Sequence, residues 1–204
     1  MFKRQCALIV FSLGLTLAHS AYASTSYPQQ TVNVIVPQAP GGTNDIVARI
    51  MSEEFSKDFK QSFIVLNKAG AGGNIGTAIA SREAADGHTI LFTISSSQAI
   101  NPALYSNPGF DPIADFEPVA AVGAVPNVLC VNADFPAQDL EEFIALIKDQ
   151  PDHYQYASAG NGSLNHLLGS MLDQKGGLKM QHIPYRGVSA GMTDVMGGLV
   201  PAIF

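Results

Sequence analysis

The stretch VIVPQAPGGTNDIVARI, residues 34–50, decides how the rest of the chain is read. Val34, Ile35 and Val36 form a short β-branched run of the kind that fills a buried strand. Pro37 ends the run, Pro40-Gly41-Gly42 reads as a turn, and Ile46, Val47 and Ile50 then fall at helical spacing behind Asn44 and Asp45. The pattern is a strand, a tip of bare backbone and a helix start. Glycines permit close approach of backbone to a ligand, and the first N–H groups of a helix have no internal partner, so such a junction can hold an anion. A short glycine-rich loop is equally ordinary as a plain strand-to-helix connection, and the stretch by itself leaves both readings open.

The same alternation continues along the chain. Strands are expected over 32–36, 63–67, 89–94, 119–122, 128–131, 154–157, 180–184 and 200–204, with helices over 45–55, 74–84, 139–149, 164–174 and 190–196. The third helix carries a strong start signal: Asp139-Leu140-Glu141-Glu142 is a relative of the capping box, followed by Phe143, Ile144 and Ile147 on one face. Strands alternating with helices predict largely parallel sheets covered by helices. Between 101 and 126 the rhythm is broken by Pro102, Pro108, Pro112, Pro118 and Pro126, which marks a passage between two α/β lobes, 24–124 and 125–204.

The N-terminus reads as an export signal. Lys3 and Arg4 precede an apolar run over 7–18, and Ala21-Tyr22-Ala23 supplies small residues at a cleavage point, so residues 1–23 are expected to be removed before Ser24. The run is short for a membrane span. Cys6 lies inside it rather than at the cleavage point, which argues against lipid attachment to a mature N-terminal cysteine. Cleavage leaves Cys130 as the only cysteine, which cannot form an internal disulfide, so the fold must rest on its core. The formal charge of −6 becomes more negative once Lys3 and Arg4 are lost, which argues against nucleic acid or an anionic membrane as partner. Local dipoles can still hold an anionic ligand.

Enzyme chemistry lacks its usual parts. The sequence has no GK[ST] behind a glycine loop, no H-E-x-x-H and no C-x-x-C. Gly70-Ala71-Gly72-Gly73-Asn74-Ile75-Gly76 approaches a dinucleotide fingerprint but places Ile75 where the third glycine belongs. His88, His153, His166 and His182 stand at no metal-ligand spacing with one another, a cysteine or a carboxylate, and neither metal nor cofactor is expected. What recurs instead is a set of small and hydroxyl residues at strand ends: Pro40-Gly41-Gly42-Thr43, Ser95-Ser96-Ser97 and Ser158-Ala159-Gly160-Asn161-Gly162-Ser163. Loops at the carboxyl ends of parallel strands line the ligand crevice of open α/β sheets, and convergent neutral donors suit a carboxylate.

Several longer pieces carry a family resemblance: Tyr27-Pro28, VPQAPGGTND, NKAGAGGNIGTAIA, ADGHTILF, INPALY, DFEPVAAV, VPNVLCVN, YASAGNGSLNHLLG and HIPYRGVSAGMTDVMGG. From Tyr27 onward the chain resembles the substrate-binding receptors of tripartite tricarboxylate transporters, the TctC or Bug family of extracytoplasmic solute receptors. The resemblance implies a type II periplasmic-binding-protein fold, two α/β lobes joined by a hinge and closing on a small organic acid. It also implies integral membrane transporter subunits as partners, a periplasmic location, a monomer at full length and no catalysis. The carboxylate would be held by main-chain N–H groups, hydroxyls and waters from two loops, here Pro40 to Asp45 and Ser158 to Ser163.

The residues expected at the site are therefore Pro40, Gly41, Gly42, Thr43, Asp45, Asn74, Ser95, Ser96, Ala159, Gly160, Asn161, Gly162, Ser163, Tyr185 and Arg186. Asp45 either faces a ligand amino group or water, or complements the positive end of its helix. Asn74 either orients the GAGGNIG loop or starts the next helix. Arg186 either pairs with a distal carboxylate or is an exposed structural arginine, and Tyr185 reads as a pocket wall. Gln38 and Pro40 depart from the family pattern, which has an aromatic and a small residue there. Relatives also continue for about a hundred residues beyond the equivalent of Phe204, a domain-scale length, so the second lobe is expected to be truncated and binding to depend on the remainder. The alternatives to a transport receptor are a sensing subunit for a membrane histidine kinase and a secreted enzyme acting on an organic acid.

Overall fold

The structure is a computed structural model and describes residues 27–204; the expected signal peptide and its cleavage before Ser24 lie outside the described residues. Two small sheets form its frame. The first contains β1 (Val32–Val36), β2 (Phe63–Asn67) and β3 (Thr89–Leu91) in the order β2-β1-β3, all parallel. The second contains β4 (Cys130–Val131), β5 (Gln155–Ser158), β6 (Gln181–Pro184) and β7 (Ala202–Ile203) in the order β4-β7-β5-β6. There β5 runs parallel to both neighbours, and only β4 is antiparallel.

The helices are α1 (Thr43–Phe59), α2 (Asn74–Ala80), α3 (Asn101–Leu104), α4 (Leu140–Asp149), α5 (Leu164–Gly176) and α6 (Val188–Met196), with a 3-10 turn at Ala71–Gly73 and a π turn at Ser96–Ile100. In the first unit Val32, Val34 and Val36 pack with Ala48 of α1 and Phe63 of β2. In the second, successive residues of β5 serve opposite faces, as the two-residue strand period requires. Tyr156 joins Phe143 and Ile147 of α4 on one side, while Ala157 joins Val195 of α6 and Val200 on the other. A strand buried on both faces is the mark of a parallel sheet sandwiched by helices.

Several element bounds differ from expectation for local reasons. Helix α1 starts two residues early and runs on to Phe59, where Lys60 leaves it at φ 55. Helix α2 stops at Ala80 because Arg82 and Glu83 donate to Ile79 and Ala80, three residues back, tightening the chain into turns. In the α4 cap Asp139 accepts from the Glu142 N–H at 2.9 Å, and the Glu142 carboxylate reaches the Gln138 N–H at 2.7 Å rather than that of Asp139. The expected strand over 119–122 forms no ladder, and those over 89–94, 128–131 and 200–204 shorten to β3, β4 and β7. Pro201 stands just outside β7, its carbonyl accepting from the Asn132 N–H at 2.9 Å, so the missing donor of proline is not needed in the ladder.

Candidate ligand-binding site

The carboxyl ends of strands from both sheets open onto one cavity of about 400 Å³. Pro37 and Gln38 reach it from the end of β1, Gly70 to Gly73 from the turn after β2, and Ile94 from the segment after β3. From the other sheet come Ala159, Gly160, Asn161 and Ser163 after β5, and Pro184, Tyr185, Arg186 and Gly187 at the end of β6. Tyr105, just past α3, completes the wall. This is the crevice that parallel strands with outward-winding connections are built to leave.

The loop after β5 is braced from within. Ser158 Oγ accepts from the Gly160 N–H at 3.0 Å, Ser163 Oγ donates to the Gly160 carbonyl at 2.7 Å, and the Gly162 N–H donates to His166 Nδ1 at 3.2 Å. Gly160 sits at φ +122 with the Tyr185 carbonyl 3.1 Å from where a Cβ would stand, so a side chain there is doubly opposed. Asn161 is the exposed member; its carbonyl accepts from the Tyr105 hydroxyl at 2.7 Å, and its side-chain amide has no partner among the described residues. Gly162 is buried behind this loop, against Tyr105 and Asn101, and does not line the cavity.

Pro40, Gly41, Gly42, Thr43 and Asp45 are not among the lining residues. The Asp45 carboxylate, 2% exposed, is filled by its own neighbours: the Gly41 N–H at 2.9 Å, the Asn67 amide at 2.8 Å and the Arg49 guanidinium at 2.9 Å. Burial alone would raise this carboxyl, but the hydrogen bonds from Arg49, Gly41 and Asn67 hold it below the usual carboxylate range. The loop is further fixed from the second unit, where Ser189 Oγ donates to the Pro40 carbonyl at 3.0 Å. Gln38 stands in its place on the wall, with its side-chain oxygen on Asn44 and its amide near Ser97 Oγ at 3.5 Å. The signal for Gln38 was its departure from the family pattern.

Asn74 is buried at the start of α2, accepting from the Asn101 amide at 2.7 Å, and borders a shallower groove beside the cavity. Ser95 is exposed and Ser96 buried, and neither lines the cavity; Ser97 Oγ instead donates to the Gly72 carbonyl at 3.2 Å and so backs the glycine turn. Tyr185 lines the cavity with its hydroxyl directed to Asp194 Oδ2 at 2.6 Å, and that hydrogen bond, with burial, pushes the phenol up to about 12. It therefore stays a neutral wall. Arg186 is exposed at the cavity and makes neither an ion pair nor a side-chain hydrogen bond among the described residues.

Two histidines that the sequence left unpaired come together behind the β5 loop. The rings of His166 and His182 stack at 4.0 Å, and His182 Nε2 lies 2.6 Å from Ser158 Oγ. Burial, and then the neighbouring His166, pushes His182 down to about 4, while burial alone lowers His166. Sequence spacing could not reveal the pair, because it joins α5 to β6.

A family model described as the tripartite tricarboxylate transporter family receptor matches residues 47–204. The chain belongs to this receptor family. Solved structures share its fold: the periplasmic binding protein BugD superimposes with a TM-score of 0.81 at 37% identity, over 87% of this chain and 59% of BugD. Rpa4515 of Rhodopseudomonas palustris, solved with adipate, gives 0.84 at 30% identity over 87% and 59%. MatC from the same organism, with bound malate, gives 0.81 at 30% identity over 87% and 60%. The chain likewise spans 59% and 60% of the length of two curated relatives. Within this receptor family, then, the chain presents the mixed α/β fold of periplasmic binding proteins in part, with the crevice between its two sheets formed.

Proposed function

We propose that the protein is an exported solute receptor that holds a small organic acid in the cavity between its sheets and hands it to integral membrane subunits of a tripartite transporter. The reading is carried by how the cavity wall is built. Helices α5 and α6 both begin there, with their N-cap residues Ser163 and Gly187 on the wall. Helix starts present unpaired N–H groups and the positive end of the helix dipole, which favours a carboxylate. Helix α1 offers a contrast: its first turn contains Asp45, which supplies the negative charge from within. The first turns of α5 and α6 contain no acid, and α6 has no side-chain cap. Adipate and malate in two relatives of the same fold support a carboxylate as the ligand class.

Among the described residues that line the cavity there is no nucleophile–base pair, and the Ser158–His182 contact lies behind the wall, an arrangement suited to holding a solute rather than transforming it. Thermal-shift measurements against mono-, di- and tricarboxylates, made on a chain extended to the length of its relatives, test the reading, because a ligand that binds only the folded state raises its melting temperature. A concentration-dependent rise with at least one carboxylate is expected. No rise with any of them, up to millimolar concentration, would remove the basis for a carboxylate receptor.

A further inference from the structure

The charge pattern of the cavity wall is unusually simple. Among its lining residues Arg186 is the only charged side chain, and no aspartate or glutamate is present. Arg186 has no acidic partner among the described residues, although it stands next to Tyr185, whose hydroxyl is bound to Asp194. The carboxylates that could have met an ammonium group are committed elsewhere: Asp45 to Arg49, Gly41 and Asn67, and Asp194 to Tyr185.

We infer that Arg186 is a specificity-determining residue that takes a second carboxylate, and that the cavity selects non-amino dicarboxylates over both monocarboxylates and acidic amino acids. The inference rests on the reading of this cavity as the carboxylate site. A guanidinium presents a planar fork that fits a carboxylate in bidentate fashion, so the far end of a diacid is recognised by geometry as well as charge. The near carboxylate meets neutral main-chain donors at the helix starts. An acidic amino acid brings in addition an ammonium group, which here would face Arg186 and neutral donors with no anion to pair it. Desolvating that group without a counter-charge is costly, so the absence of acids is itself a selection device.

The test uses calorimetry on the purified protein and on R186Q and R186K, with malate and succinate as diacids, butyrate as the four-carbon monoacid, and aspartate as the amino analogue. The wild type should bind the better diacid at least about tenfold tighter than butyrate or aspartate. R186Q should lose that margin against butyrate while keeping butyrate affinity, and R186K should recover part of it, since charge without the fork remains. Far-UV circular dichroism and a thermal melt on each variant establish that it is folded; should R186Q fail that check, R186K and the wild-type ligand series decide. Equal wild-type affinity for diacid and monoacid, or an R186Q that loses both equally, would overturn the assignment of Arg186. Aspartate binding as tightly as the diacids would overturn the exclusion of an ammonium. Failure of the wild type to bind any carboxylate would instead strike the function proposed for the cavity, and the two results are distinguishable.

Discussion

The Tyr105 hydroxyl donates to the Asn161 carbonyl at 2.7 Å, so a residue following α3 is tied to the cavity loop of the other sheet. Both residues line the cavity. The bond therefore joins the two sides of the crevice across the place where a solute would sit. Tyr105→Phe keeps the ring and removes only the donor. The lost neutral hydrogen bond contributes about 1 kcal/mol, and carboxylate affinity should fall about fivefold by calorimetry. An unchanged affinity would mean that the contact only decorates the wall.

Two glycines at the tips of equivalent strands should respond differently. Gly42, after β1, has φ −77, and a Cβ there would meet nothing closer than the Ala39 carbonyl at 3.6 Å. Gly42→Ala should leave binding within about twofold of wild type. Gly160, after β5, combines φ +122 with a carbonyl 3.1 Å from its Cβ position, so Gly160→Ala should displace the loop and weaken binding at least about tenfold. The reverse order of effects would favour the loop from Pro40 to Asp45 as a carboxylate-holding loop.

Asp45 is expected to act on stability. Asp45→Ala would leave the Gly41 N–H and the Asn67 amide without their partner and should cost about 1–3 kcal/mol in chemical denaturation. Because the folded carboxyl sits below its usual range, its contribution is present above the unfolded value of 3.8 and lost as the pH falls through the lower folded value. The stability difference between wild type and Asp45→Ala should therefore shrink on acidification. A constant difference down to pH 2 would mean that the ionised form is not what the site holds.

The histidine pair gives a second, separate pH window. His182 titrates near 6.5 when unfolded and near 4 in the fold, so the unfolded chain binds more protons between those values. Its share of stability is complete above about 6.5, declines below that, and is gone once the pH has passed through about 4. Protonation of His166 at Nδ1 would also end its acceptance of the Gly162 N–H, loosening the loop that carries Asn161. Melting temperatures of wild type and of His166→Gln/His182→Gln, taken from pH 7 to pH 4, should show a shallower decline for the double variant. Parallel curves would exclude the pair as the cause.

Export is checked by N-terminal sequencing of the mature protein, which should begin at Ser24 with STSYPQQ. Recovery of a chain that still begins at Met1 in a membrane fraction would identify the segment as an anchor instead.

The parts of the fold legible in sequence are those where local pattern and tertiary role coincide. The β1 run and its partner at Phe63–Asn67 were readable because a β-branched run between turn residues has few other uses, and Asp139 announced α4 through its cap. The extended piece at 119–122 looks the same locally but has no neighbour to pair with among the described residues, and propensity carries no information about neighbours. At the site, the Ala159 to Asn161 tip was readable because glycine and hydroxyl residues at a strand end have a direct physical use. The Gly70 to Gly73 turn misses the dinucleotide fingerprint, and no spacing rule in the sequence marks it as cavity wall, yet it lines the cavity. Tyr105 and the stacked histidines arise from chain crossings that no spacing rule anticipates.

The lone guanidinium on the cavity wall has a kinetic consequence. The full sequence carries a formal charge of −6, and the expected mature protein is more negative, so an approaching dianion should be repelled at long range and attracted only close to Arg186 and the starts of α5 and α6. Added salt screens the distant repulsion over a Debye length of about 10 Å at 0.1 M, while a pair formed inside the crevice is screened much less. Capture of a dicarboxylate should therefore speed up as ionic strength rises from a few millimolar toward 0.1 M, and release should quicken far less. A receptor of this design trades encounter frequency in dilute medium for discrimination at contact.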